Sequence, residues 1–315
     1  MTNNNLVTIV TVTHNLIEAG RKESFIKCIE SVHGQTYKNI EHIVIDGAST
    51  DGTLDLIKEC YDKGHITSYI TEEDAGIYDA FNKGILASNG KYIAFLNSDD
   101  YYHDMSGVEE TMKYLVKTNA DFSYATCKII NEAGEETNLY NANVHCAFTK
   151  TPFMHITMFT KKEALLKENL FDTTYKIAAD YDLILKLLLK RRKCVKVPKI
   201  FATFRSGGIS GNDKLAAEDC ANLYYKTYSP FCKITAEECK KLWSMDIIPI
   251  SLLLSLMRKC GFDFAVGMLN FYSCALFTYY LPIFRKWLIQ IRTKKGQETL
   301  KLFGIYFIKP KNGEI

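Results

Sequence analysis

The sequence predicts an α/β fold in which helices cover both faces of a doubly wound, mainly parallel sheet, followed by a helical C-terminal extension. Strand-like and helix-like segments alternate four times within about the first 100 residues, which is the pattern of such a sheet. The apolar run that begins at Tyr92 has the composition of a buried central strand. That strand ends in two adjacent carboxylates, Asp99 and Asp100, at the end where these sheets bind ligands.

The first half of the chain supplies the alternating elements. Strands are predicted at residues 6–12, 40–45 and 66–70 and from residue 92, because each is a short apolar run bounded by polar turns. Phe25, Ile29 and Val32 repeat at helical spacing, and helices are also predicted after the second and third strands. The second half is less regular, with a helix at 107–117, a strand at 122–130, a loop at 138–151, a strand-like run at 155–160, a buried helix at 180–189 and a strand at 200–204.

The composition is that of a globular protein, with 47% apolar and 24% charged residues among 315. Residues 285–315 hold eight Lys/Arg and two Glu, a net charge of +6, so the remainder of this +3 chain is −3. A nearly neutral body with a basic tail argues against a general nucleic-acid binder. The ten cysteines form no C-x-x-C pair and the N-terminus lacks a signal-peptide pattern, so reduced thiols and a cytoplasmic location are expected.

Two domains are predicted. Residues 1–230 form the catalytic domain, with a nucleotide half at about 1–105 and an acceptor half at about 106–230. Residues 231–315 form a helical, basic extension.

Carboxylates stand at three points where chemistry is expected. Asp46 closes the second strand and can accept hydrogen bonds from a nucleobase or ribose, although a simple Gly/Ser/Asp turn is the alternative. Asp99 and Asp100 can hold a hard divalent cation and through it a diphosphate, or else form a polar turn with a helix cap. Asp180 and Asp182 open an apolar helix, where a capping role is the alternative.

These segments resemble a known family, the family 2 glycosyltransferases with the GT-A (nucleotide-diphospho-sugar transferase) fold. The similarity covers roughly residues 6–210 and is closest to enzymes that build bacterial surface polysaccharides. Its motifs occur in the expected order: Val-Thr-His-Asn after the first strand, Asp46-Gly-Ala-Ser-Thr-Asp-Gly-Thr, Glu73-Asp-Ala-Gly-Ile-Tyr-Asp-Ala-Phe-Asn-Lys-Gly84, Asn97-Ser-Asp-Asp100, His155 with Phe159, and Ala179-Asp-Tyr-Asp-Leu183.

The resemblance implies a role for each motif. Thr11 and Asp46 would contact the nucleotide base, Asp99 the ribose, and Asp100 an Mg²⁺ or Mn²⁺ ion that bridges the phosphates. Asp180 matches the family's catalytic base, and a single displacement would invert the anomeric centre. The family often has Glu before the base, whereas this chain has Ala179, so Asp182 is a rival for that role.

Four further side chains receive weaker assignments. Asp79 and Asn82 share one helix face and would border the donor, or else lie on a solvated face. His155 would lie on the acceptor side or be a structural histidine. Arg205, next to Gly207 and Gly208, would close over the diphosphate or belong to a basic surface loop.

The expected substrates are a nucleotide-diphosphate sugar donor and a saccharide or lipid-linked acceptor. The Gln-x-x-Arg-Trp signature of processive synthases is missing, so transfer of a single sugar per event is predicted. The alternatives are a sugar nucleotidyltransferase, which would usually need a Gly-rich loop where this chain has Thr13-His14-Asn15-Leu16, and a non-catalytic nucleotide-sugar-binding partner. Selectivity is expected from the loops at 131–155 and 205–215.

Residues 245–295 predict a contact with the cytoplasmic face of a membrane. The apolar segments 247–257 and 264–284 precede a cluster of cations that begins at Arg285, which suits an anionic leaflet. Two core helices, or one spanning helix, are the alternatives.

Overall fold

The computed structural model describes residues 5–208, 211–245, 248–261, 264–268, 289–294, 297–302 and 305–308. They divide into two compact units. The first comprises Met1–Asn143, Pro152–Leu187 and Arg192–Asp219, and the second comprises Val144–Thr151, Leu188–Arg191 and Cys220–Ile315. The main change of unit therefore follows residue 219, whereas the sequence suggests residue 230.

The strands of the first unit confirm the predicted alternation. In its described residues they are β1 (Val7–Thr13), β2 (Ile40–Asp46), β3 (Ser68–Thr71), β4 (Tyr92–Phe95), β5 (Tyr101–Tyr102), β6 (Phe122–Tyr124), β7 (Cys127–Ile130), β8 (Glu136–Tyr140), β9 (Phe159–Lys161), β10 (Cys194–Lys196) and β11 (Ala202–Arg205). The strand predicted at 122–130 is two strands, β6 and β7, which pair in different sheets. The strand-like run at 155–160 begins as a 3₁₀ turn, His155–Thr157.

Helices lie between these strands. They are α1 (Lys22–His33), α2 (Thr53–Asp62), α3 (Ile77–Ala87), α4 (Gly107–Thr118), α5 (Lys162–Lys167), α6 (Ala179–Leu189) and α7 (Asp213–Tyr228). The amphipathic repeat predicted for α1 is confirmed, because Phe25, Ile29 and Val32 are its buried face.

A large sheet forms the centre of the first unit. Within the described residues it has seven strands in the order β10-β6-β9-β4-β1-β2-β3, all parallel to their neighbours except β9. All seven residues of β1 and all four of β4 are buried, as expected for central strands covered on both faces. A second sheet, in the order β5-β11-β7-β8, carries Arg205 at the end of β11.

The approach of α3 to the sheet depends on a glycine. A Cβ atom at Gly84 would lie 2.4 Å from Cγ1 of Val10 on β1, so any side chain there would force the helix outwards. This close packing fixes the N-terminal end of α3, which carries Tyr78 and Asp79, beside the carboxyl end of the sheet.

The second unit contains the predicted C-terminal helices and also a small sheet. The helices are α8 (Ala236–Met245) and α9 (Ile250–Cys260), and an antiparallel sheet is formed by β12 (Ile289–Lys294), β13 (Gln297–Leu302) and β14 (Ile305–Ile308). Thr235 and Glu238 form a capping box that starts α8, because each side chain accepts the other's backbone N–H.

The apolar segment at 247–257 lies largely in α9. Leu252, Leu253, Leu256 and Met257 of α9 are all buried. In the described part of the chain, no helix combines the length and hydropathy required to cross a bilayer. Of the second apolar segment, residues 269–284 lie outside the described residues.

The prediction of reduced thiols stays a prediction. Nine cysteines lie in the part of the chain that the structure describes, and eight of them are buried.

Candidate active site

The carboxyl ends of β1, β2 and β4 meet at one edge of the large sheet. The three strands run parallel, and Thr13 at the end of β1 lies opposite Asp46 at the end of β2. The chain leaves β4 through Asn97 and Ser98 and reaches Asp99 and Asp100 at the same edge. The sheet therefore brings together the carboxylates that the sequence marked at two separate strand ends.

Asp46 is completely buried and saturated with hydrogen bonds. Its carboxylate accepts the hydroxyls of Thr13 (2.9 Å), Ser49 (2.6 Å) and Thr71 (2.9 Å), and also the Ser49 backbone N–H (2.9 Å). A carboxylate has about four lone-pair positions, so a nucleobase N–H would have to replace one of these donors. Asp46 thus organises the ends of β1, β2 and β3.

Thr11, the predicted contact of the nucleotide base, has its side chain buried inside the large sheet. The Thr11 hydroxyl and Nε2 of His42 share a 3.0 Å hydrogen bond inside the sheet, and both side chains are buried. The strand continues for two more residues before it reaches the edge. The exposed side chain at that edge is His14, whose Nδ1 donates to the Gly47 carbonyl at 3.0 Å.

Asp99 forms an ion pair that the sequence does not indicate. Its Oδ2 lies 2.6 Å from Nη1 of Arg21, which stands immediately before α1 and 78 positions earlier in the chain. The Asp99 side chain is 11% exposed and the Arg21 side chain 39% exposed. Asp99, the residue predicted to bind the ribose, is therefore accessible from the side on which Arg21 lies.

Asp100 is fully buried behind Asp99. Its Oδ1 accepts the backbone N–H of Arg205 (2.8 Å) and its Oδ2 accepts the Asn97 amide N–H (3.1 Å). Burial raises the pKa of the Asp100 carboxyl well above its usual range, and the charge of Asp99 raises it further. The two hydrogen bonds and the positive charge of Arg205 act against this rise without cancelling it.

The residues around Asp100 fit a hard divalent cation. Oδ1 of Asn97 is buried and has no hydrogen-bond partner among the described residues, although its amide nitrogen is bonded to Asp100. Carboxylate and amide oxygens are the donors that Mg²⁺ and Mn²⁺ prefer. In the described ranges, no group of three or more His, Cys, Asp or Glu side chains could hold a metal alone. The protein thus offers a partial shell, as is usual for a cation that also binds substrate phosphates.

Arg205 joins the second sheet to the Asp100 loop. Besides its backbone bond to Asp100, its Nη1 donates to the Glu132 carbonyl at 2.7 Å. Its Nε is buried and has no hydrogen-bond partner among the described residues. A Cβ atom at Gly207 would lie 2.3 Å from Oε1 of Glu132, so this glycine lets the loop after β11 pack against the 131–134 turn.

Asp180 lies in the first turn of α6 and has two side-chain neighbours. Its Oδ1 is 3.3 Å from the hydroxyl of Tyr78, and its Oδ2 is 3.3 Å from Nδ1 of His155. The single proton of the Tyr78 hydroxyl is shared between Asp180 and the Ile177 carbonyl. Burial raises the pKa of Tyr78 well above its usual value, and the charge of Asp180 adds to the rise. Tyr78 therefore stays a neutral hydrogen-bond donor, while the Asp180 side chain remains 21% exposed.

The loop before Asp180 is pinned from α7. Oδ2 of Asp219 accepts the backbone N–H groups of Lys176 (2.7 Å) and Ile177 (2.8 Å). Because Ile177 in turn accepts the Tyr78 hydroxyl, the entry to α6 is fixed from α3 and from α7.

Asp182, the rival for the role of base on the acceptor side, lies in a different environment from Asp180. Its side chain is only 4% exposed and forms a 2.6 Å ion pair with Lys186, one turn along α6. Asp182 is two residues after Asp180. Since a helix rotates by roughly 200° over two residues, the two side chains lie on different faces of α6.

The predicted donor contacts on α3 divide into two cases. The Asn82 side-chain amide donates to the Phe171 carbonyl (2.9 Å) and accepts the Phe171 N–H (2.9 Å), so both of its polar atoms have a partner within the protein. Asp79 remains on the rim, where it accepts the Ala75 N–H (3.1 Å) and lies 3.4 Å from Nζ of Lys83.

Five residues of the site were missed by reasoning from the sequence: His14, Arg21, Asn97, Tyr78 and Asp219. His14, Asn97 and Tyr78 lie inside the motifs that carry the family resemblance, but the residues predicted there to belong to the site were their neighbours. Arg21 and Asp219 carry no local signal, because their partners are 78 and 42 or more positions away.

Comparisons with known proteins agree with this geometry. The sequence profile described as "Glycosyl transferase family 2" matches residues 8–182. The chain is 32% identical over 170 residues to a protein of Escherichia coli named chondroitin synthase, covering 51% of this chain and 24% of that protein. Five curated relatives, including this one, are much longer than the chain, which covers 17% to 26% of their lengths.

Solved structures give the same fold. The Staphylococcus aureus protein TarS, residues 1–349 in complex with UDP-GlcNAc, superposes with a TM-score of 0.58 at 12% identity, covering 96% of this chain and 99% of that one. A mannosyltransferase from Pyrobaculum calidifontis in complex with GDP-Man and Mn²⁺ superposes with a TM-score of 0.55 at 17% identity, covering 91% and 84%. The predicted GT-A fold is confirmed, and with more than half of its length matched by the profile the chain belongs to glycosyl transferase family 2.

Proposed function

We propose that this protein is an inverting glycosyltransferase that moves one sugar per event from a nucleotide-diphosphate sugar to a hydroxyl of a saccharide or lipid-linked acceptor. The observation that carries the proposal is the position of Asp180. It is a partly exposed carboxylate at a helix start, held by Tyr78 and His155, in the same unit as the Asp99–Asp100 pair. Surface polysaccharide synthesis is the proposed context, and the relative named chondroitin synthase supports it.

The donor would lie along the carboxyl edge of β1, β2 and β4. His14 is the exposed ring at that edge and would face the base, while Asp46 holds the strand ends and Asp99 would bind the ribose. Asp79 would border the sugar, and Arg205 the diphosphate. The neighbours solved with UDP-GlcNAc and with GDP-Man support a nucleotide-diphosphate sugar as the donor class.

Charge on the leaving group is the main problem of the reaction. Asp100 and Asn97, with help from Asp99, would hold Mg²⁺ or Mn²⁺, and such a cation supplies Lewis-acid stabilisation to a departing diphosphate. The buried Nε of Arg205, which lacks a partner among the described residues, would add a donor on the same side.

Asp180 would act as the base. As the acceptor oxygen forms its bond to the anomeric carbon, the bond to the donor diphosphate breaks and the acceptor proton passes to a carboxylate oxygen of Asp180. Tyr78 and His155 would keep the Asp180 carboxylate aimed at the acceptor, since each contacts a different one of its two oxygens at 3.3 Å. One displacement on the face opposite the leaving group inverts the configuration.

The test of this function is a panel of nucleotide sugars incubated with purified protein, Mn²⁺ and candidate saccharide acceptors. Release of a nucleoside diphosphate together with an extended acceptor is the expected result. Pyrophosphate release from a nucleoside triphosphate and a sugar phosphate would instead identify a nucleotidyltransferase. Tight donor binding that no acceptor converts into turnover would favour a non-catalytic nucleotide-sugar-binding partner.

We also propose that the protein works at the cytoplasmic face of a membrane, through the cationic residues 285–295 and not through α9. The leucines of α9 are buried in the protein and do not face outwards to contact a membrane. A cationic cluster is instead formed in the sequence by Arg285, Lys286, Arg292, Lys294 and Lys295. Full-length protein is expected to bind anionic liposomes at low salt and to leave at high salt. A full-length variant with these five residues changed to Gln should stay in solution, and equal binding of both proteins would contradict the proposal.

A further inference from the structure

Arg21 is a cation beside the donor site whose side chain is partly free to move. Its backbone is fixed, because its N–H donates to the Leu16 carbonyl (2.8 Å) and its carbonyl accepts the Phe25 N–H (3.0 Å). Its side chain is 39% exposed and reaches across to Asp99 at 2.6 Å. The guanidinium can therefore change partner without a change in the fold.

The charges around Asp99 indicate when that change would occur. Asp99 and Asp100 are adjacent, and the hydrogen bonds to Asp100 come from a backbone N–H and an amide, which carry no charge. In the free protein, Arg21 supplies the ion pair that offsets Asp99. When a divalent cation lies on the carboxylates, a guanidinium at the same position is repelled, and two phosphates have arrived that match its bidentate geometry.

We infer that Arg21 is a donor-binding residue that exchanges Asp99 for the diphosphate of the incoming nucleotide sugar. This inference rests on the proposed function, because it needs a donor with a diphosphate and a cation at Asp99 and Asp100. It assigns to Arg21 two opposite effects. Arg21 competes with a cation for Asp99 before the donor binds, and it strengthens the grip on the donor afterwards.

The effects of Arg21 on cation binding and on donor binding have opposite signs, and this difference provides the test. Mn²⁺ binding to the full-length protein is measured alone by electron paramagnetic resonance, and binding of UDP and of GDP is measured by calorimetry at saturating Mn²⁺. Arg21→Gln should bind Mn²⁺ alone about two- to fivefold more tightly, the range expected for loss of a partly exposed ion pair. The same variant should bind the nucleoside diphosphate roughly tenfold more weakly, as for one charge-assisted contact. Arg21→Lys should recover part of the nucleotide affinity.

Lys27, on the helix α1 that follows Arg21, offers a matched control. Its ammonium stacks over the ring of Tyr101 at 3.5 Å, so Lys27→Gln removes one nearby positive charge without touching Asp99. It should change neither affinity by more than about twofold.

The outcomes separate the two claims. If wild-type protein binds neither Mn²⁺ nor either nucleotide, the proposed function fails and this inference fails with it. If wild-type protein binds both, but Arg21→Gln weakens both or changes neither, Arg21 has a structural role or none, and the inference alone is overturned.

Discussion

The carboxylate of Asp219 accepts the backbone N–H of Ile177 at 2.8 Å, and the carbonyl of the same Ile177 accepts the hydroxyl of Tyr78. One peptide segment just before the candidate base is therefore held from both sides. Ile177 and Asp219 lie 42 positions apart in sequence, and their contact shapes the first turn of α6. Asp219 touches neither substrate in the proposed function and would act only by positioning Asp180.

Asp219→Ala is expected to lower kcat about tenfold or more while the KM for the donor changes by less than about twofold, because only the base is displaced. Two N–H groups lose their acceptor, which should also lower the free energy of unfolding by about 1–3 kcal/mol for each. Glu218→Ala, at the exposed neighbouring position, is the control for both measurements. A variant that is destabilised but retains full kcat per folded molecule would show that the clamp has no catalytic consequence.

Tyr78→Phe removes one hydroxyl and keeps the ring that stacks on Phe171 at 5.7 Å. Because the raised pKa of Tyr78 keeps it neutral, it should serve Asp180 as a hydrogen-bond donor throughout the working pH range. Steady-state kinetics should show kcat reduced by roughly tenfold, the value of one hydrogen bond to a charged group. The exposed Tyr61 gives the control variant Tyr61→Phe. An unchanged kcat in Tyr78→Phe would mean that Ile177 is its sole functional partner.

Asp100→Asn should sharply reduce turnover and the response to Mn²⁺, with a small effect on folding. Asn keeps neutral hydrogen-bonding atoms but lacks the charge that a divalent cation requires. Since the Asp100 charge is costly to bury, its removal should leave the Tm in the presence of chelator equal to or above that of the wild type. The control is Asp104→Asn, a nearby carboxylate paired with Lys199 at 3.0 Å. Wild-type activity in Asp100→Asn, together with indifference to chelator, would refute the metal assignment.

Burial lowers the pKa of His42 to about 3, and its ordinary value is 6.5. The unfolded chain therefore binds a proton at His42 between these values while the folded protein does not, so stability contributed by neutral His42 is complete above about pH 6.5 and is lost as pH falls. From pH 7 to pH 5 the loss should be about 2 kcal/mol. Urea unfolding of wild type and His42→Gln at both values isolates this contribution, because other histidines titrate in both proteins. Parallel pH dependence in the two proteins would contradict the burial argument.

The fold was largely predictable because it rests on local patterns. The apolar run at Tyr92 and the helical repeat from Phe25 report burial directly, and strand alternation then restricts the topology. The small C-terminal sheet was missed although β12 alternates apolar and polar residues as a strand does, because residues 231–315 were interpreted as a helical extension.

The site was predictable where a residue's own position carries its role. Asp99, Asp100 and Asp180 stand at strand or helix ends, which the sequence reveals. The Thr11 side chain is buried against His42, and because β1 is covered on both faces, the strand pattern does not reveal that partner. The Asn82 amide binds Phe171, which is 89 positions away. Contacts of this kind depend on tertiary packing and leave no mark on the local sequence.

The central claim is that Asp180 removes the acceptor proton, and kinetics of Asp180→Asn and Asp182→Asn with an established donor and acceptor test it most directly. Asp180→Asn is expected to lower kcat by about 10²–10⁴-fold, the usual contribution of a general base, while calorimetry still detects nucleotide binding. Asp182→Asn, which removes the ion pair with Lys186, should retain kcat per folded molecule within a few-fold. An active Asp180→Asn beside an inactive but folded Asp182→Asn would contradict the account.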